Sequence, residues 1–72
     1  MKTAERIRYL RKKNNLTLEE VGKACGVGKS TVRKWEVGAI KSMRIDKAYL
    51  LSKALKTNLK YLLGLSNDEG EA

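Results

Sequence analysis

At 72 residues the chain has room for one small domain and none for a deep catalytic cleft. It has no His and a single Cys, which removes the commonest general base, any internal disulfide and any Cys/His metal cluster. Sixteen Lys and Arg stand against eight Asp and Glu, a net charge of +8, and three of those acids (Asp68, Glu69, Glu71) lie in the last five residues; the rest carries the electrostatic footprint of a polyanion binder, most often of nucleic acid.

No apolar run approaches the ~18 residues needed to span a membrane. The opening Met1-Lys2-Thr3-Ala4-Glu5-Arg6 has no apolar stretch behind its charges, as a signal peptide would. The expected compartment is the cytoplasm, and no membrane partner is expected.

Thr3 is placed to cap a first helix over 4–14, with Ala4, Ile7, Leu10 and Arg11 on one face at helical spacing. Asn14-Asn15 stops it, because Asn tolerates the left-handed position after a helix end. Thr17, with Glu20 three residues on, forms a capping box for a second helix over 18–25, whose apolar stripe is Leu18, Val21 and Cys25. Gly26-Val27-Gly28 breaks that helix. A third follows over 29–37 with Val32 and Trp35 inward, and Gly38 ends it.

Residues 39–43 form a basic loop. A fourth helix over 43–55 is expected to bury Ile45, Ala48, Leu51, Ser52 and Leu55. Asn58 caps a short fifth helix over 59–63, stopped by Gly64. Residues 1–65 are thus one domain, and 66–72, small and acidic, are expected as a disordered tail. Strand signals are absent.

The segment from Thr17 to Gly38 holds two helices of about eight residues around a short Gly-containing turn, the spacing of a helix-turn-helix. Gly22 is expected to let the second and third helices approach closely, and Gly26 to permit positive φ in the turn. On the third helix Lys29, Ser30, Arg33, Lys34 and Val37 form a single outward stripe. Residues at the start of such a helix reach base edges; Lys and Arg donate to guanine, and Ser serves several bases. Phosphates suit free N–H groups at helix N-termini. The candidates are Thr17 at the second helix, and Lys41, Ser42 and Arg44 in the loop before the fourth.

The run Leu16-Thr17-x-x-Glu20-Val21-x-x-x-Cys25-Gly26-Val27-x-x-Ser30-Thr31-Val32-x-x-Trp35-Glu36-x-Gly38 resembles the phage Cro/repressor-type helix-turn-helix family. The later Leu51-Ser52-Lys53-Ala54-Leu55 and Tyr61-Leu62-Leu63-Gly64 resemble its fourth and fifth helices, so that the resemblance covers about residues 3–65. It implies an all-α, five-helix, lambda-repressor-like fold with the helix-turn-helix in helices two and three. It also implies a regulator of transcription, a repressor, that binds double-stranded DNA as a homodimer. Lys29, Ser30 and Lys34 match the family's base-reading positions, with Arg33 beside them. Arg11 and Glu36 match a family ion pair between the first and third helices. The family often has Gln at the position of Leu18, where it grips a phosphate and braces the recognition helix; Leu18 cannot make that contact.

Other signals are weaker. Gly26-Val27-Gly28-Lys29-Ser30-Thr31 looks like the end of a phosphate-binding loop, but the motif needs Gly where this chain has Lys23, and a strand where it has a helix. Trp35 reads as core rather than as a stacking platform, and Cys25 as a small buried hydrophobe. Lys12-Lys13 complement a helix C-terminus. Leu59, Leu62, Leu63 and Leu65 are either core or part of a dimer patch. No enzyme activity, metal, cofactor or small-molecule ligand is expected. Two readings compete with DNA regulation: a helical protein-interaction module, such as an antitoxin or anti-repressor, and a nonspecific DNA binder.

Overall fold

The computed structural model describes residues 1–41 and 43–71. Five helices follow in order: α1 (Thr3–Lys13), α2 (Leu18–Cys25), α3 (Lys29–Glu36), α4 (Ile45–Ala54) and α5 (Leu59–Leu62), with no strand among the described residues. α2 packs against α3 and α4, α1 against α3 and α5, and α4 against α5. Their apolar stripes converge on one core of Ile7, Leu10, Val21, Cys25, Val32, Trp35, Leu51, Leu55, Tyr61 and Leu62.

Local chemistry sets most of the boundaries. Thr17 Oγ1 accepts from the Glu20 N–H at 3.0 Å while the Thr17 N–H donates to the Glu20 carboxylate at 2.8 Å, which closes the capping box of α2. Asn58 Oδ1 accepts from the Tyr61 N–H at 2.8 Å and caps α5. Asn15 takes a φ of 56° just past Asn14, the C-cap of α1, and Gly26 one of 72° directly after α2. Asn14 adds a longer-range tie, because its amide donates both to the Leu10 carbonyl and to the Leu55 carbonyl at the end of α4.

Several expectations are corrected. Thr3 is not the cap of α1: it lies inside the first turn, and the capping position belongs to Lys2, whose backbone N–H donates to Glu5. Arg6, one step off the apolar stripe, is buried with Ala4, Ile7 and Leu10. α3 ends at Glu36, with Val37 as its C-cap. α4 starts at Ile45 rather than Met43, and Ile45 is 65% exposed. Ile45 keeps the spacing of the buried stripe but lies on the surface, while the loop residues Ile40 and Met43 pack on the core. Gly22 does make a close approach, but to the turn: a Cβ there would lie 2.6 Å from the Val27 carbonyl oxygen and 3.2 Å from the Gly28 carbonyl carbon.

Residues 66–71, within the 66–72 segment expected as a disordered tail, run back along α1 and the start of α5. The Ser66 carbonyl accepts from Arg6, the Glu69 carbonyl from Thr57, and the Asp68 and Gly70 carbonyls from the Asn58 amide. The Glu69 carboxylate pairs with Lys13.

Candidate nucleic-acid interface

α3 is pressed into the body of the molecule by Val32, fully buried, and Trp35, 5% exposed. The opposite face carries Lys29, Ser30, Arg33 and Lys34, all exposed. The three ion pairs found among the described residues are Arg11–Glu36, Lys13–Glu69 and Arg44–Asp46, so Lys29, Arg33 and Lys34 keep their charge free on that face. Val37, in the same outward stripe, is exposed just beyond the helix end.

Three contacts hold α3 in place. The first is a two-pronged ion pair. Arg11 Nε lies 2.6 Å from Glu36 Oε2, and Arg11 Nη2 lies 3.1 Å from Glu36 Oε1. Arg11 Nη1 also donates to the Leu16 carbonyl at 3.0 Å, which ties the α1–α2 loop to the same cluster. The guanidinium fork matches the carboxylate plane, so the pair fixes orientation as well as distance. The second contact is the Gly22 approach, which lets the turn sit against α2. The third is Lys47 of α4, whose ammonium donates to the Cys25 carbonyl at 3.0 Å. A cation at the last carbonyls of α2 complements its dipole and steadies the turn from below. Burial pushes the Cys25 thiol up, and the nearby Lys47 charge offsets part of that rise, so the sulfur is a packed neutral group.

Three of the four other expected anion-binding residues are described, and all three are exposed. Thr17 is exposed at the start of α2, and its capping box uses the Glu20 N–H, which leaves the earlier N–H groups of the first turn without helical partners. Two hydrogen bonds from Thr17, from its backbone and then from its side chain, hold the Glu20 carboxyl below the usual range. Lys41 is exposed in the α3–α4 loop. Arg44 is the N-cap of α4, with Asp46 3.4 Å from its Nε, so part of its charge is already met. Ser42 lies outside the described residues. No group of metal-ligating side chains, and no helix long and apolar enough to cross a membrane, occurs among the described residues.

The sequence pattern does not reveal the long-range bonds of Arg6, Asn14 and Lys47. Each donates to backbone carbonyls of a distant element, and carbonyls have no signature in a sequence. The aromatic ring beneath Arg6, that of Tyr61, lies 4.2 Å from the guanidinium carbon.

A family model described as helix-turn-helix matches residues 7–62. The crystal structure of the P22 c2 repressor protein in complex with synthetic operator 9T in the presence of Tl+ superposes with a TM-score of 0.82 and 32% identity, over 92% of this chain and 98% of that one. An uncharacterized HTH-type transcriptional regulator, YobD of Bacillus subtilis (strain 168), is 33% identical over 64 residues, which are 89% of this chain and 56% of the relative's length. A basic α3 face set on a rigid α2–turn–α3 unit, the breadth of the family match and the closeness of the backbones lead to one statement: this chain belongs to the helix-turn-helix family.

Proposed function

We propose that the chain is a sequence-specific double-stranded DNA-binding regulator of transcription, a repressor, that lays α3 in the major groove. The observation that carries this reading is the free basic face of α3 on a helix held from behind by Arg11–Glu36, Val32 and Trp35. Lys29, Ser30, Arg33 and Lys34 are the base-reading residues. Thr17, Lys41, Ser42 and Arg44 grip phosphates on either side. The similarity to a repressor bound to its operator supports the same docking here. The role is that of a binding module in the cytoplasm rather than an enzyme.

The protein binds as a homodimer, with two α3 helices about 34 Å apart, one turn of DNA. Leu63 and Leu65 are exposed and Leu59 half-buried, and together they offer an apolar contact; Leu62 is fully buried in the core. Sedimentation with and without DNA tests this, and monomer alone at high concentration in both would sink the dimer.

Selection of binding sites from a random duplex pool tests the function itself. Enrichment of a two-fold-symmetric motif, lost in Lys29→Ala and Lys34→Ala, is the expected result. Affinity that only tracks salt, with no enriched sequence, would replace the regulator with a nonspecific electrostatic binder.

A further inference from the structure

The N-terminal ends of α2 and α3 frame a shallow cavity of about 610 Å3. Its lining combines cations at Arg11, Lys23 and Lys29, acids at Glu19 and Glu20, and the apolar side chains of Leu16 and Leu18. Glu20 is engaged by the Thr17 N–H, and Lys23 lies one turn along α2 from Glu19. Leu18 is the first residue of α2 and only partly buried: it packs on the core and also lines the cavity, within reach of the same space as Lys29.

A leucine in that position has no hydrogen-bond donor for a phosphate. It gains only by trading water for another apolar surface. Along the major groove each base pair displays donors and acceptors, and the one apolar group displayed is the C5-methyl of thymine. Lys29 is the first residue of α3, so a base edge brought to Lys29 carries its neighbour to the mouth of the cavity. We infer that Leu18, backed by Leu16, is a specificity-determining apolar seat for the C5-methyl of a thymine next to the base pair read by Lys29. This rests on the proposal that α3 reads the major groove.

The test takes the enriched duplex and replaces its thymines one at a time with deoxyuridine, which lacks only the methyl group. Affinities are measured for the unmutated chain and for Leu18→Ala, Leu18→Gln and Leu18→Met, with melting curves showing that each variant is folded. Removal of one particular methyl, in either half-site, should weaken binding by the unmutated chain and by Leu18→Met about fourfold, the ratio that burial of one methyl-sized group gives. The same removal should leave Leu18→Ala and Leu18→Gln nearly unaffected. Loss of folding stability alone would weaken both duplexes equally and leave that ratio at its unmutated value, which counts against the seat. No methyl effect at any thymine, on a duplex that is otherwise bound specifically, overturns the seat and leaves the DNA reading standing. Absence of any enriched duplex overturns the DNA reading, and the seat with it.

Discussion

Arg11 of α1 meets both carboxylate oxygens of Glu36 in α3, with side chains only 15% and 7% exposed. The pair joins the end of α1 to the end of the helix that bears Lys29, Arg33 and Lys34. Removing one partner of a buried pair costs about 3–5 kcal/mol, mostly by stranding the other charge. Arg11→Ala should therefore lower the melting temperature by at least about 10 °C for a domain of this size. Replacing both residues together should cost less than the two single losses added. An unchanged melting temperature in Arg11→Ala would refute the pair's structural role.

Arg6 makes a contrasting case, a buried cation with no carboxylate partner among the described residues. It donates to the carbonyls of Tyr61 and Ser66 and lies over the Tyr61 ring. Each charged hydrogen bond of this kind is worth about 1.5–3 kcal/mol. Arg6→Met keeps much of the stem's packing but removes the bonds to the carbonyls of Met1, Tyr61 and Ser66, and should both lower stability and free residues 66–71. Proteolysis and amide exchange in that segment should rise in the variant. Protection equal to that of the unmutated chain would mean that Lys13, Thr57 and Asn58 hold the segment without Arg6.

Gly22→Ala sets two effects against each other. Ala is favoured over Gly inside a helix by about 1 kcal/mol. The added Cβ, however, would stand 2.6 Å from the Val27 carbonyl, which is backbone and can yield only if the turn moves. Overpacking of this kind costs about 1–3 kcal/mol, so the net change should be destabilising. Equilibrium denaturation decides the sign, and a stabilised variant would mean that the turn relaxes freely.

Local patterns were the legible part of this fold. The Thr17–Glu20 box, the Gly26 turn and the Asn58 cap each depend on neighbours within three or four residues, and so can be read without tertiary knowledge. The α3 face was legible because one stripe holds the charges and the opposite stripe holds Val32 and Trp35. Arg11–Glu36 could be anticipated only from the family resemblance, since nothing in a spacing of 25 residues marks a pair. Ile45 misled because periodicity defines a face but not how far along it a neighbour extends. The contacts of residues 66–71 were not legible because that segment is held mainly through its own backbone carbonyls, which accept from the Arg6, Thr57 and Asn58 side chains.

Two carboxylates should give the fold an acid limit. Hydrogen bonds from Thr17 hold Glu20 below its usual range, and a hydrogen bond from Lys13 does the same for Glu69. A carboxyl depressed in the folded state adds stability that is fully present above its unfolded value, about 4.3, and that is lost as pH falls through the lower folded value. The melting temperature should thus hold steady above about pH 5 and fall below about pH 4. Glu20→Gln keeps an acceptor for the Thr17 N–H without titrating, and should flatten part of that fall. An identical acid profile in the variant would remove Glu20 from the account.

Salt dependence separates the two kinds of DNA contact proposed for the basic residues. Each phosphate neutralised releases counterions and steepens the fall of affinity with salt. Lys41, exposed and outside the three ion pairs, should act as such a contact. Lys41→Ala should weaken binding to every duplex alike and reduce the slope of log affinity against log salt by about 1. Arg44 already has Asp46 at 3.4 Å, which competes with a phosphate, so Arg44→Ala should reduce the slope by less. Lys34→Ala, by contrast, should cost about 1–3 kcal/mol on the selected duplex and relax the preference at one base pair. Binding measured from about 50 to 200 mM salt on selected and scrambled duplexes distinguishes these roles. If Lys34→Ala weakens both duplexes equally and shifts only the slope, Lys34 is a phosphate contact, and base reading by α3 falls to Lys29, Ser30 and Arg33.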